Sequence, residues 1–331
     1  MEKEVYIERL YEKIKVLNET LWEDRVRKQN IKNWLNNFTT DQEKLLALHL
    51  LSEFIYFGSV QMRQLLKSLY RDLYRYPIIE TIRRKNSHSI DKNIIEKEFK
   101  EIERKTRFFG VGNPSESGAH LLYFFRQENC LSKTLFINTN EIIHYNSGTP
   151  KLKHPDLDYY IFIDDFCGSG SQVTGDTGLN NTIQHVRKLK PSATIFYLML
   201  FGTSDGLKNV SNSKMFDHVD TVIEIDDTFK CFSPNSRHFD PKNPHINRLD
   251  SQSMAFAYGL PLIKDIIQKE IGVTPNLDIV SKRNALGFRD CQLLLGFHHN
   301  TPDNSLPIIW YDEDSISWMP IFKRYNKKYN F

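Results

Sequence analysis

Two adjacent acids, Asp164 and Asp165, follow the apolar run Tyr160-Ile161-Phe162-Ile163 and precede the small-residue stretch Cys167-Gly168-Ser169-Gly170-Ser171-Gln172. Neighbouring carboxylates repel each other and lose solvation, so the fold must supply cations, hydroxyl donors or a metal in return. Small residues let backbone amides curl around an anion while serine hydroxyls donate further bonds, and the start of the following helix adds partial positive charge. Acids suited to sugar hydroxyls beside a nest suited to phosphate describe a sugar-phosphate site. The plain alternative is a core strand that ends in acids and a flexible turn; the strand, turn and helix around the pattern favour the functional reading.

A second stretch of this kind lies upstream, where Phe108-Phe109-Gly110-Val111 leads into Gly112-Asn113-Pro114-Ser115-Glu116-Ser117-Gly118. Glycines allow a ligand to approach the backbone, and Ser115 and Ser117 can donate to an anion, although the same residues also build ordinary turns. The four cysteines, Cys130, Cys167, Cys231 and Cys291, form neither a CxxC pair nor a zinc-like cluster, so they read as free thiols in a reducing cytoplasm. No stretch reaches the roughly 18 apolar residues of a membrane span, and the N-terminus lacks an apolar signal core.

The elements that must hold these residues show in the hydrophobic pattern. Residues 108–111, 134–137, 159–163, 194–200 and 221–225 are short apolar runs, separated by helix patterns at 117–128, 180–190 and about 205–210. Strands alternating with helices predict a mainly parallel sheet covered on both faces, with ligands at the carboxyl ends of its strands. The preceding hundred residues have a helical pattern with Gly58 as their only glycine, and Thr40-Asp41-Gln42-Glu43 has capping-box spacing. A second helix with Leu65, Leu66, Leu69 and Leu73 is expected to run up to Pro77. After Gly272, the runs 293–297 and 307–310 flank a turn-rich segment and predict a hairpin.

Charge is nearly balanced, 44 Lys and Arg against 41 Asp and Glu, and by itself implies neither a nucleic-acid nor a membrane partner. From Arg63 to Arg107 there are 13 basic and 7 acidic residues, an excess that reads first as a solvated helical face. The tail Lys323-Arg324-Tyr325-Asn326-Lys327-Lys328-Tyr329 mixes basic and aromatic residues in a way that suits nucleic acid but is also common in exposed tails.

The apolar run, acid pair and Ser169-Gly170-Ser171 resemble the phosphoribosyl-diphosphate signature of type I phosphoribosyltransferases, with Gln172 where that signature ends in threonine. The resemblance implies that Asp164 and Asp165 hold the ribose hydroxyls and a Mg2+ ion, and that Cys167, Gly168, Ser169, Gly170, Ser171 and Gln172 wrap the 5′-phosphate. It makes Gly112, Asn113, Ser115, Ser117 and Gly118 the diphosphate loop. It also places Phe201, Gly202, Asp226 and Phe229 beside the acceptor pocket, and the stretch 138–158, with His144, Lys151, Lys153 and His154, where the family keeps a flexible catalytic loop. Landmarks along most of the chain, among them Trp34-Leu35-Asn36-Asn37-Phe38 and Leu306-Pro307-Ile308-Ile309-Trp310, are similar to a bacterial phosphoribosyltransferase-like group. That group is thought to act in conflict systems, including anti-phage and retron-type operons.

The expected fold is therefore a type I phosphoribosyltransferase-like α/β sheet at 106–275, with a helical N-terminal bundle at 1–105 and a small β extension at 276–331. The expected function is Mg2+-dependent chemistry on phosphoribosyl diphosphate or a related ribose phosphate, as a cytoplasmic effector of anti-phage defence. The alternative is a non-catalytic nucleotide-binding sensor or assembly subunit, which Gln172 and the lack of a clear catalytic-loop base favour. A two-acid Mg2+ nuclease is disfavoured, because the acids are adjacent and no further Asp-x-Asp follows a strand. Expected partners are a ribose-phosphate or nucleotide ligand, a protein or reverse-transcriptase and nucleic-acid complex in a defence operon, and a second copy in a homodimer as one option.

Overall fold

The structure is a computed structural model that describes residues 2–112, 117–175, 178–272 and 275–325, with the backbone alone at 117–120 and 271. It opens with α1 (Lys3–Thr20), α2 (Lys28–Leu35), α3 (Asp41–Ser52), β1 (Ile55–Phe57) and α4 (Ser59–Ser68). A π-helical segment (Leu69–Arg75) leads to α5 (Tyr76–Lys85), α6 (Lys92–Arg104), β2 (Thr106–Gly110) and α7 (Ser117–Glu128). Next come β3 (Ile143–Asn146), β4 (Thr149–Leu152), β5 (Tyr159–Cys167), α8 (Ser171–Thr174) and α9 (Gly178–Leu189). β6 (Thr194–Thr203), α10 (Ser204–Asn212) and β7 (His218–Ile225) follow, then α11 (Arg248–Ile271), α12 (Leu277–Asn284), β8 (Leu295–Phe297) and α13 (Pro307–Trp310).

The chain divides into two compact units, Arg63–Ile225 and the union of Met1–Met62 with Asp226–Phe331. The first unit holds a four-stranded parallel sheet in the order β2-β5-β6-β7. Eight consecutive residues of β6 are buried, as expected for a strand covered on both faces. Adjacent residues point to opposite faces. On one face Phe109, Phe162 and Tyr197 pack with Ile183 and Val186 of α9 and Val210 of α10. On the other, Phe108 meets Phe125 of α7 and Tyr74 of the π-helical segment, and Phe196 meets Tyr74. This is the mixed α/β architecture with a parallel sheet that the alternating pattern predicts.

Several boundaries differ for identifiable reasons. Residues 134–137 give a 3-10 turn (Lys133–Leu135) and a single bridge from Phe136 to Phe108 instead of a strand. The helix expected to stop at Pro77 instead changes type. The proline lacks an amide and crowds the carbonyl four residues back, so the helix widens into the π segment, and Pro77 then sits in the first turn of α5. The stretch 138–158 contains the β3–β4 hairpin, closed by Ser147 and Gly148 at positive φ, with His144 paired to Lys151. In the basic stretch 63–107, Arg84 pairs with Glu80 and Arg104 with Glu101, the pattern of a solvated helical face.

The second unit joins the two ends of the chain around one core. Thr40 and Glu43 form the expected capping box at α3, whose residues 45–52 are all buried. Trp34 donates through Nε1 to the Ile308 carbonyl at 2.7 Å, linking α2 to α13. The expected C-terminal hairpin is not formed. Residues 307–310 are a buried helical turn begun by Pro307, whose fixed φ suits a first helical position, and β8 pairs in parallel with β1. This unit is discontinuous in sequence, because buried apolar side chains from both chain ends share a core.

Candidate functional site

β5 runs through the acid pair and ends at Cys167, beyond the apolar run 159–163 that marks it in the sequence. Asp164 is paired in register with Met199 of β6 and is only 7% exposed. Both of its oxygens are engaged: Oδ2 accepts from the Tyr197 hydroxyl at 2.7 Å, and Oδ1 from the Asp165 amide at 2.9 Å. Burial foremost, and then the charge of Asp165, hold the Asp164 carboxyl well above the usual carboxylate range, although the Tyr197 bond works in the opposite direction. The half-exposed Asp165 is also hydrogen-bonded to the Asp164 side chain. Burial therefore disfavours the charged form at Asp164, and Asp165 is the more exposed carboxyl of the pair.

Asp164 carries a stability signature whose sign follows from proton counting. Below the unfolded value, about 4, the side chain is protonated in both states and its burial carries no ionisation penalty. As pH rises towards the elevated folded value the native state binds more protons than the unfolded one, so stability falls with pH. Asp164→Asn removes that loss while keeping an acceptor for Tyr197. In urea unfolding at pH 4, 6 and 8 with a chelator present, the variant is expected to gain on wild type as pH rises; a pH-independent difference would contradict the raised value.

The turn after β5 is built by small residues. Gly170 has φ +73°, and a Cβ there would lie 2.7 Å from Val210 Cγ2. Its carbonyl accepts from the Val173 and Thr174 amides and from the Thr174 hydroxyl, which closes the first turn of α8. Ser169 and Ser171 hydroxyls lie 2.7 Å apart, and the Ser171 amide approaches Ser169 Oγ at 3.4 Å. Gln172 is exposed. Cys167 is buried, and burial above all pushes its thiol up to about 12, so this side chain packs and does not offer a thiolate.

A second strand holds the turn in position. Thr203, the N-cap of α10, donates its hydroxyl to the Gly168 carbonyl and accepts from the Gly206 amide at 2.9 Å. Asn209 donates to the Ser169 carbonyl at 3.2 Å. Gly206 lets α10 approach, since a Cβ there would lie 2.3 Å from the Gly168 oxygen. Tyr197, Gly206 and Asn209 were not legible as site residues. Thr203 lies in the stretch 201–205 expected to border the acceptor pocket, and here its hydroxyl holds the turn.

The upstream loop leaves the neighbouring strand at the same edge of the sheet. Gly110 is in register with Ile163, the Val111 amide donates to the Ile163 carbonyl at 3.0 Å, and Gly112 turns the chain with φ +95°. Asn113 and Ser115 lie outside the described residues, while Ser117 and Gly118 are the first residues of α7. Of the acceptor-pocket candidates, Phe201 is fully buried and Gly202 is packed against Met199 and Leu207. Asp226 and Phe229 belong to the other unit, where Asp226 caps a 3-10 turn and Phe229 lies 3.6 Å under the Arg237 guanidinium.

Among the described residues no group of three or more His, Cys, Asp or Glu side chains is arranged to hold a metal. Mg2+ retains several waters and takes one or two carboxylates plus substrate phosphates, so the more exposed Asp165 fits its usual mode. Asp164, buried and with both oxygens engaged, fits direct ligation poorly.

A parallel α/β sheet with an acid pair on an inner strand and a small-residue turn at that strand's carboxyl end defines a phosphoribosyltransferase-like protein. The family model described as PRTase-CE matches residues 31–324, and the chain belongs to that family. No curated protein and no solved structure gives a significant match. Among the described residues, no helix is long and apolar enough to cross a membrane.

Proposed function

We propose that the protein binds phosphoribosyl diphosphate, or a related ribose phosphate, at the turn after β5 and transfers the phosphoribosyl group to an acceptor. The observation that carries this reading is the latched turn itself. Ser169, Gly170 and Ser171 follow the acid pair after three residues, and Thr203 and Asn209 hold the backbone of the turn at Gly168 and Ser169. Their amides and hydroxyls bind the 5′-phosphate, and Asp165 orients the ribose hydroxyls. Gly112 and the start of α7 approach the diphosphate. Loss of diphosphate leaves positive charge on the ribose, so catalysis rests on fixed electrostatic support and needs no protein nucleophile. Mg2+, bound at Asp165 and the substrate phosphates, would supply charge neutralisation for the departing diphosphate.

The buried, fully engaged Asp164 and Gln172 at the end of the signature favour a second reading, a subunit that binds nucleotide without turnover. Diphosphate release separates the two. Wild-type protein with phosphoribosyl diphosphate and Mg2+ is expected to release diphosphate above a boiled control and to stop when chelator is added. Binding seen by calorimetry without any release would transfer support to the sensor. A role as an effector of anti-phage defence rests on the family resemblance; expression of the wild-type chain is expected to reduce phage plaquing on host cells, and unchanged plaquing would remove it.

A further inference from the structure

The unit built from the chain ends contains a cleft of about 400 Å³ that the proposed reaction does not use. One face of α1 supplies Tyr6, Arg9 and Lys13, the end of α3 supplies His49 and Glu53, and the segment after Arg237 forms the remaining wall. Its floor is rigid. His49 donates through Nε2 to the His238 carbonyl at 2.9 Å, which leaves Nδ1 to accept the Tyr6 hydroxyl at 3.1 Å. Tyr6, His49 and His238 are all more than nine-tenths buried, and the Asn243 side chain bonds Tyr6 from the opposite wall. Burial lowers the His49 pKa, so the ring stays neutral and the hydrogen-bond order holds at neutral pH.

Arg9, Lys13 and Arg237 line the opening together with the carboxylates of Glu53 and Asp240, a balance of three cations to two acids. The Lys13 charge is matched by Glu53 in an ion pair. Arg9 forms no ion pair with any described residue, and Arg237 comes only within 3.8 Å of Asp226 while Phe229 supports its guanidinium from below. Nε and Nη2 of Arg237 bond Thr228. Arg9 and Arg237 both line the cleft; guanidinium groups suit a phosphate, with Arg9 offering its donor fork and Arg237 its charge and its remaining Nη1 donors. The half-buried Phe239 ring and the polar Asn243 and Tyr6 line the space behind them. The volume is near the lower end of the about 300–1,000 Å³ typical of small-ligand sites, which admits a ring-bearing ligand and greatly exceeds a bare ion.

We propose that this cleft is a binding site for a nucleoside monophosphate, with the phosphate on Arg9 and Arg237 and the base against Phe239. None of its residues belongs to the unit that carries Asp165. The test uses the full-length chain with Ser169→Glu, which sets a repelling carboxylate in the turn after β5 and leaves the cleft untouched. Calorimetric titrations with AMP, GMP, CMP and UMP are compared with ribose 5-phosphate and inorganic phosphate. At least one nucleotide is expected to bind with one-to-one stoichiometry, and at least tenfold tighter than ribose 5-phosphate. Adding Arg9→Glu is expected to weaken it about tenfold or more without moving the unfolding midpoint, and Arg237→Gln, whose side chain also braces Thr228 and Phe229, is expected to weaken it to a similar extent. Arg9 is exposed on α1, so its replacement does not endanger folding. Absence of nucleotide binding, binding no tighter than ribose 5-phosphate, or indifference to Arg9→Glu would each overturn the site. Nucleotide binding to wild type that Ser169→Glu abolishes would also overturn it, while supporting the turn after β5 as the place of binding.

Discussion

Asp165→Asn is expected to lower kcat/KM for diphosphate release by about a hundredfold, the scale on which removing one fixed electrostatic partner of a developing charge acts. Asparagine preserves size and one acceptor, so the loss reports charge. Asp164→Asn is expected to cost less than about tenfold, because burial and its neighbour disfavour the charge on that carboxyl and both of its oxygens are already engaged within the protein. Steady-state kinetics of both variants at pH 7.5 check the pair together. An equal loss in the two would show that the charge is shared differently between them, and no loss in either would remove the acids from the chemistry.

The second large effect concerns the latch. Gly206→Ala inserts a methyl group 2.3 Å from the Gly168 oxygen and 3.0 Å from both the Cys167 oxygen and Thr203 Oγ1. Two of those contacts are backbone and cannot rotate away, so α10 and the turn must separate. Overpacking of this kind costs about 1–3 kcal/mol, and the displaced turn is expected to bind ribose 5-phosphate at least tenfold more weakly. Gly178→Ala is the control, since a Cβ there meets nothing within 4 Å. Urea midpoints at constant slope measure the first effect and calorimetry the second. A Gly206→Ala protein with wild-type stability and binding would show that the latch has no part in shaping the turn.

Much of this protein is written locally. Alternation of apolar runs with helical spacing marks β2, β5, β6 and β7; the signal is fullest in β6, which is buried on both faces and therefore apolar throughout, and weakest in the half-exposed β7. The Thr40 capping box, the turn at Gly168 to Ser171 and the glycine after β2 are legible for the same reason: each depends on residues within a few positions of one another. Tertiary structure decided the rest. Asp164 is buried and takes a hydrogen bond from Tyr197, 33 positions away, and the turn is held by Thr203, 35 positions from Gly168. Residues 307–310 have a composition that suits a strand, yet form a helical turn whose Ile308 carbonyl meets Trp34, 274 positions distant. Chain-local forces select element type where period and turn chemistry agree. Which acid keeps a proton, and which distant segments share a core, depend on burial and contacts that exist only once the chain has closed on itself.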